Sequence, residues 1–329
     1  MPEPIVLVLT QEFDVTADSV VKILNERGVT VFRYDTSYFP RNSTLTYRST
    51  DAGWRTTLVD TTYGRRSLRL EEVTSVWYRR PTPFTADPSL AEAHQEFAVK
   101  ESAHAMGGVL TALPARWVNL PAVEQRAHYK PLQLQVARDA GLRIPKTIIT
   151  NDPEEALRFH RECGGAVIYK ALNSGLLHEP GGWPRGLLTT ALPELPLDIL
   201  PRVRYSPCIF QEHVDKAYEL RITVIGERLF PVRVDSTDDD GEPQVDSRNF
   251  LGTIRYTQVA LPEEVEKRLR RVMDHFELAY GAIDVVVDRA GEHYFLEVNP
   301  AGQFVWLDDE TPGLNLAAAM ADYLSGQSD

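Results

Sequence analysis

The chain has 329 residues, of which 43% are apolar and 25% charged, with a formal net charge of −12. Those proportions belong to ordinary globular domains and exclude a fibrous, a disordered or a membrane-spanning chain. At roughly 150 residues per domain, the length predicts two or three packed units. The acidic excess is uneven, with 13 Lys/Arg against 14 Asp/Glu in residues 1–120 and 22 against 33 in 121–329. No basic stripe with interleaved aromatics accompanies it, so nucleic acid is not an expected partner. Cys163 and Cys208 are the only cysteines, too few for a disulfide framework or a thiolate metal site, and they fit a reducing, cytoplasmic setting.

The opening Ile5–Leu9 run is too short for a signal segment and lacks a basic flank, so it reads as a buried parallel strand. A helix from about Thr16 to Glu26 ends at Gly28, and Val29–Tyr34 returns as a second strand, the βαβ opening of a parallel sheet. Alternation between Thr44 and Leu70, with turns at Gly53 and Gly64, predicts hairpin strands. Val73–Tyr78 is a further strand closed by Arg79, Arg80 and Pro81, whose two guanidinium groups either face solvent or reach an anion. Ser89–Met106 is helical, and Gly107-Gly108 is expected to stop it. The spacing then predicts a helix over Pro131–Ala140 stopped by Gly141, a strand entered through Leu142–Thr147, and a helix capped by Asp152 with Pro153 at its first position. Val167–Lys170 is a strand, and the glycine-bearing stretch Asn173–Gly186 reads as a mobile loop.

The chemistry concentrates further on. Gly281–Asp288 and Tyr294–Pro300 read as two strands joined by a turn at Gly291. Glu297 and Asn299, two apart on a strand, leave the same face while Val298 points to the other, and hairpin pairing brings Asp284 near them. Three hard oxygen donors on one face suit Mg2+; a surface hairpin whose acids meet water is the plainer reading. Lys170 ends an apolar strand just before the glycine-bearing loop and Lys130 lies just before the Pro131 helix, each a solvated lysine or a phosphate contact. Cys208–Val214 is a strand running into a polar turn, Gln211-Glu212-His213-Val214, whose backbone suits an adenine edge. Glu219 can meet ribose hydroxyls, and Arg221, on the same face, can neutralise charge on a transferring phosphoryl group; a surface ion pair is the alternative.

In that order, Lys130, Lys170, the 211–214 turn, Glu219-Leu220-Arg221 and the Asp284, Glu297, Asn299 triad resemble the ATP-grasp superfamily, from about Asn119 to the C-terminus. The resemblance implies an α/β and α+β protein of ATP-grasp fold, with a pre-ATP-grasp α/β domain over 1–118, a central lobe over 119–207 and a C-terminal lobe over 208–329. It implies that ATP lies between the two lobes, contacted by Lys130, Lys170, Gln211, Glu212, His213, Val214, Glu219 and Asn299, with Mg2+ on Asp284, Glu297 and Asn299. Within the superfamily the chain looks like the macrocyclising ligases of graspetide, or microviridin-type, biosynthesis. Trp77–Pro81, Asp246-Ser247-Arg248 and Phe295–Trp306 carry that likeness, the middle one reading Asp-Ser-Arg where those enzymes commonly have Asp-Trp-Arg.

Such enzymes phosphorylate Asp or Glu side chains of a ribosomally made precursor peptide, leader plus core, and a Ser, Thr or Lys side chain then closes an ester or amide ring. The resemblance therefore implies Arg221 and Arg248 as catalytic groups, Arg79, Arg80, Asp246 and Arg248 as peptide contacts, and a homodimer. Two other readings stand beside it: a ligase that adds free amino acids to a protein or small-molecule carboxylate, and a nucleotide-binding scaffold without catalysis.

Overall fold

The computed structural model describes residues 3–173, 176–177, 185–193, 195, 200–237, 245 and 253–327. The chain opens with a four-stranded parallel sheet in the order Thr30–Tyr34, Ile5–Thr10, Ser75–Arg80, Arg116–Val118. The unbroken apolar run of its first strand has a physical cause. Val6 and Val8 enter a core on one face and Leu7 and Leu9 a core on the other, so both faces are covered. Helix Val15–Glu26 covers the first face, capped by Asp14, which accepts from the Thr16 and Ala17 amides. The second face meets helix Glu92–Thr111 and a three-stranded antiparallel sheet, Ser43–Thr50, Gly53–Asp60 and Arg66–Arg69, the hairpins that the alternation predicts.

Gly107 and Gly108 do not stop the long helix, which runs on to Thr111. Each glycine costs about 1 kcal/mol in a helix interior, but Met106, Val109 and Leu110 around them are buried in the core that the parallel sheet and the hairpin sheet share, and burial of one such side chain returns ~1.5–3 kcal/mol.

Two further antiparallel sheets follow. One is ordered Thr190–Ala191, Val167–Lys170, Cys208–Glu212, Thr147–Thr150, and helix Pro153–Glu162 packs on it, capped by Asp152 as expected. The other is ordered Thr253–Gln258, Arg228–Thr237, Lys216–Ile225, Tyr280–Asp288, His293–Asn299. Its apolar face, with Leu220, Ile222, Val224, Ile283, Val285 and Val287, packs on helices Pro121–Ala127, Lys130–Asp139 and Glu263–Phe276. The alternate positions are thereby freed for polar work on the opposite face.

The C-terminal helices Val305–Glu310 and Leu316–Ser325 return to the first face of the parallel sheet, so one core joins residues from both ends of the chain. The expected loop between Asn173 and Gly186 is described only at its short pair Leu176–Leu177 with Arg185–Gly186; the remainder lies outside the described residues. Among the described residues no helix is long and apolar enough to cross a membrane.

Candidate active site

The polar face of the five-stranded sheet brings distant residues into one row. Arg221, Asp284 and Glu297 are direct cross-strand partners on three adjacent strands, Arg221 opposite Asp284 and Asp284 opposite Glu297. Asn299 stands one pleat further along its strand, opposite Ala282. A β-bulge sets this up. Phe295 pairs with Val285 and Glu297 with Asp284, so Leu296 is the extra residue. Without it, strict alternation would put Phe295 and Glu297 on one face. With it, Phe295 is buried in the core while Glu297 stays on the polar face.

The charges of the row are paired. Arg221 Nη1 donates to both carboxylate oxygens of Asp284, at 2.9 and 3.1 Å, and Nη2 to the Gln303 carbonyl at 3.3 Å. Lys130, the first residue of its helix, is ion-paired to Glu297. Asn299 Oδ1 accepts from the Ala301 amide at 3.1 Å, which fixes the amide plane at the strand end. All the donors offered to a cation are hard oxygens, two carboxylates and one amide, the set that suits Mg2+ with waters and phosphate oxygens completing its shell. The residues therefore fit that ion. Among the described residues no cluster of three or more His, Cys, Asp and Glu offers a competing site.

The candidates for nucleotide contact lie on the four-stranded antiparallel sheet, in the turn after its Cys208–Glu212 strand, and on the five-stranded sheet. Lys170 ends its strand opposite Ile209. The amides of Glu212 and His213 donate to the Lys146 and Ala166 carbonyls, both at 2.8 Å, and the Glu212 carboxylate pairs with Lys146 at 3.5 Å. Val214 follows, half-buried. Gln211 is fully buried in a strand paired on both sides; its side-chain amide donates to Thr147 Oγ1 at 2.9 Å and its Oε1 has no hydrogen-bond partner. Glu219 is ion-paired to Lys216, a buried lysine that the sequence reading passed over. The signal was the spacing Lys216-x-x-Glu219 at a strand start, where a second bulge at Ala217 turns Lys216 inward.

Of the two orientations that the sequence leaves open, Arg79 does not take the solvent-facing one. It is 2% exposed, donates to the Ala301 carbonyl and at 2.7 Å to Gln303 Oε1, and lies 3.6 Å from Asp14. Its neighbour Arg80 is exposed and donates to the same Ala301 carbonyl at 3.2 Å. The two arginines tie the first sheet to the segment that follows Asn299. Asp246, Ser247 and Arg248 lie outside the described residues.

Three positioning residues were also missed. Gln133 is buried and holds both backbone groups of Val298, accepting from its amide and donating to its carbonyl, each at 2.9 Å. Asn119 donates to the Tyr280 and Pro300 carbonyls and accepts from the Ala279 and Tyr280 amides. Gln303 Oε1 receives both Thr16 and Arg79. Amides leave no periodic trace in a sequence, because their partners are backbone groups far along the chain.

Residues 5–125 match the family model described as the MvdD pre-ATP grasp domain. Solved structures align over nearly the whole chain. A Chryseobacterium gregarium RiPP-associated ATP-grasp ligase, in complex with ADP and a leader and core peptide, is 30% identical with a TM-score of 0.87, over 99% of this chain and 98% of its own. The macrocyclase MdnC of Microcystis aeruginosa MRC, bound with its precursor peptide MdnA, is 29% identical with a TM-score of 0.83, over 98% of this chain and 99% of its own. The macrocyclase MdnB of the same organism is 29% identical with a TM-score of 0.76 over the same shares. No curated protein matches the sequence.

Proposed function

Because the chain belongs to the family of RiPP-associated ATP-grasp ligases, we propose that it activates Asp or Glu side chains of a ribosomal precursor peptide with ATP and closes side-chain rings. The observation that carries this is the cross-strand row Arg221, Asp284, Glu297 with Lys130 and Asn299 at its edge. It gathers cations for phosphates and oxygen donors for a metal on one sheet face.

In this reading Asp284, Glu297 and Asn299 hold Mg2+, which supplies charge neutralisation at the nucleotide phosphates. Lys130 and Lys170 contact the phosphates, the 211–214 turn the adenine edge and Glu219 the ribose. Phosphorylation turns a carboxylate oxygen into a good leaving group, and a Ser, Thr or Lys side chain of the same bound peptide attacks in a near-unimolecular step. Arg221 stabilises the developing charge, and Arg80 and Arg248 orient the carboxylate. Arg79 serves by holding Ala301. Ester or amide rings, ADP and phosphate are the products, and a homodimer and a cytoplasmic setting complete the reading; both cysteines are free thiols, the state a reducing compartment keeps.

The test is ADP release from purified protein with ATP, Mg2+ and a precursor peptide encoded beside its gene, with the peptide mass followed in parallel. Peptide-dependent ADP release with loss of water from the peptide is expected. A gain in peptide mass would instead point to addition of a free amino acid, and no peptide-dependent turnover would leave a scaffold. Glu297→Gln, which removes one charged ligand at nearly constant shape, is expected to lower ADP release at least ~100-fold, the scale of losing an electrostatic stabiliser, with an unchanged far-UV circular dichroism spectrum.

A further inference from the structure

The three-stranded hairpin sheet carries features that neither the core nor the proposed reaction uses. Its order leaves Ser43–Thr50 at an edge. Among the described residues, no backbone hydrogen bond leads from Thr44–Thr50 to anything but the neighbouring strand Gly53–Asp60. The edge strand has no proline, no bulge and no inward-pointing charge, the usual guards against a further strand. The two sides of the hairpin differ. Leu45 and Leu58 face the core, and by alternation Tyr47 and Trp54 continue that side beyond it. Their rings are stacked 4.4 Å apart, and they are 44% and 60% exposed. On the outer side Arg48 stands directly opposite Arg55, both exposed. Like charges in direct opposition cost a sheet stability. The ion pairs of this sheet are Arg66 with Asp60 and Arg69 with Glu72, and among the described residues Arg48 and Arg55 have none.

We propose that the Ser43–Thr50 edge docks an acidic stretch of the precursor peptide as a fourth strand, its carboxylates on the side of Arg48 and Arg55 and its apolar side chains against Tyr47 and Trp54. This rests on the peptide-ligase reading. In strand addition the main chain supplies affinity, and alternate side chains supply specificity. The two sides of this edge offer an alternating peptide one charged and one aromatic surface.

Charge complementarity chooses the occupant. A peptide whose Asp and Glu side chains are to be activated is acidic, and a chain of net charge −12 repels it overall. Residues 41–69 reverse that sign locally, with six arginines against two aspartates and no lysine or glutamate. Such a patch steers an acidic partner to one place and lowers the cost of holding Arg48 beside Arg55. A second copy of this chain fits less well. Antiparallel pairing of two such edges would bring the second copy's arginines to the same side of the sheet, adding to the repulsion.

Kinetics and amide hydrogen exchange test this. With Arg48→Glu and Arg55→Glu combined, the KM for the precursor peptide is expected to rise about 10-fold, the scale of losing two exposed ion pairs, while kcat and the KM for ATP stay as in wild type. The weakening of peptide binding by salt is expected to flatten in the same variant. An unchanged peptide KM overturns the proposal. Arg48→Glu alone sets a glutamate opposite Arg55 and is expected to melt no lower than wild type, which separates lost docking from lost folding. Amide exchange over residues 44–50 is expected to slow when a synthetic peptide of alternating Glu and Val is added, and not with one of alternating Lys and Val. Exchange indifferent to the Glu peptide overturns the proposal, as does exchange that slows with protein concentration alone, the sign of a second copy on the edge. Wild-type protein without peptide-dependent ADP release would sink the ligase reading instead, and exchange with the synthetic peptide would still judge the edge.

Discussion

Val298 separates the two candidate ligands Glu297 and Asn299, and the side chain that holds it is Gln133. By bonding both the amide and the carbonyl of Val298 from a helix that also carries Lys130, Gln133 sets the height of the strand against the lysine that pairs with Glu297. Gln133→Leu leaves both backbone groups buried without partners, at about 1–3 kcal/mol each. A loss of ~2–4 kcal/mol in urea unfolding is expected, with weaker Mg2+-nucleotide binding by calorimetry.

Glu124 gives a pH-dependent prediction at the same scale. Its folded carboxyl, raised mainly by burial to about 7 from the usual 4.5 of a glutamate, keeps a proton that the unfolded chain has released. Between these values the folded state binds more protons, so stability from this group is full at low pH and is lost as pH rises through 7. Glu124→Gln removes that loss. Its stability relative to wild type is expected to rise between pH 5 and pH 8 by up to about 3 kcal/mol, and a gap that stays constant would place the carboxyl in water.

At the scale of elements, the segment after Asn299 works as a fastening. Ala301 is held by Arg79 and Arg80, Gly302 by the Tyr280 hydroxyl at 2.8 Å, and Gln303 by Thr16, Arg79 and Arg221. Gly302 is required by space. A Cβ there would meet Ala282 Cβ at 2.7 Å and Arg221 Nη2 at 2.9 Å. Gly302→Ala must therefore move either the strand or the guanidinium beside Asp284. A drop in ADP release of at least ~10-fold is expected, with a fall in melting temperature of only a few degrees, as ~1–3 kcal/mol of overpacking would give in a chain of this size.

For the whole molecule, the core beneath helix Val15–Glu26 draws on Val6, Val8, Val20 and Leu24 from one end of the chain and on Leu314, Leu316, Met320 and Leu324 from the other. The N-terminal sheet cannot bury its first face without the C-terminal helices. A fragment of residues 1–118 alone is expected to lack cooperative thermal unfolding and to bind a hydrophobic dye, and a sharp transition in that fragment would show that the shared core is dispensable.

Short-range pattern in the sequence was enough to predict the βαβ opening, the hairpin strands between Thr44 and Leu70, the Asp152 helix start as a polar cap, and the two-residue spacing that puts Glu297 and Asn299 on one face. Alternation and capping act within a few residues, so they are written locally. Tertiary structure alone decided that Arg221 stands opposite Asp284 and Asp284 opposite Glu297, that Leu296 bulges, that Arg79 turns inward, and that Gln133 and Asn119 hold the strand ends. Register across strands is set by how the apolar face packs on helices far along the chain, and a one-residue slip would turn every candidate ligand into the core.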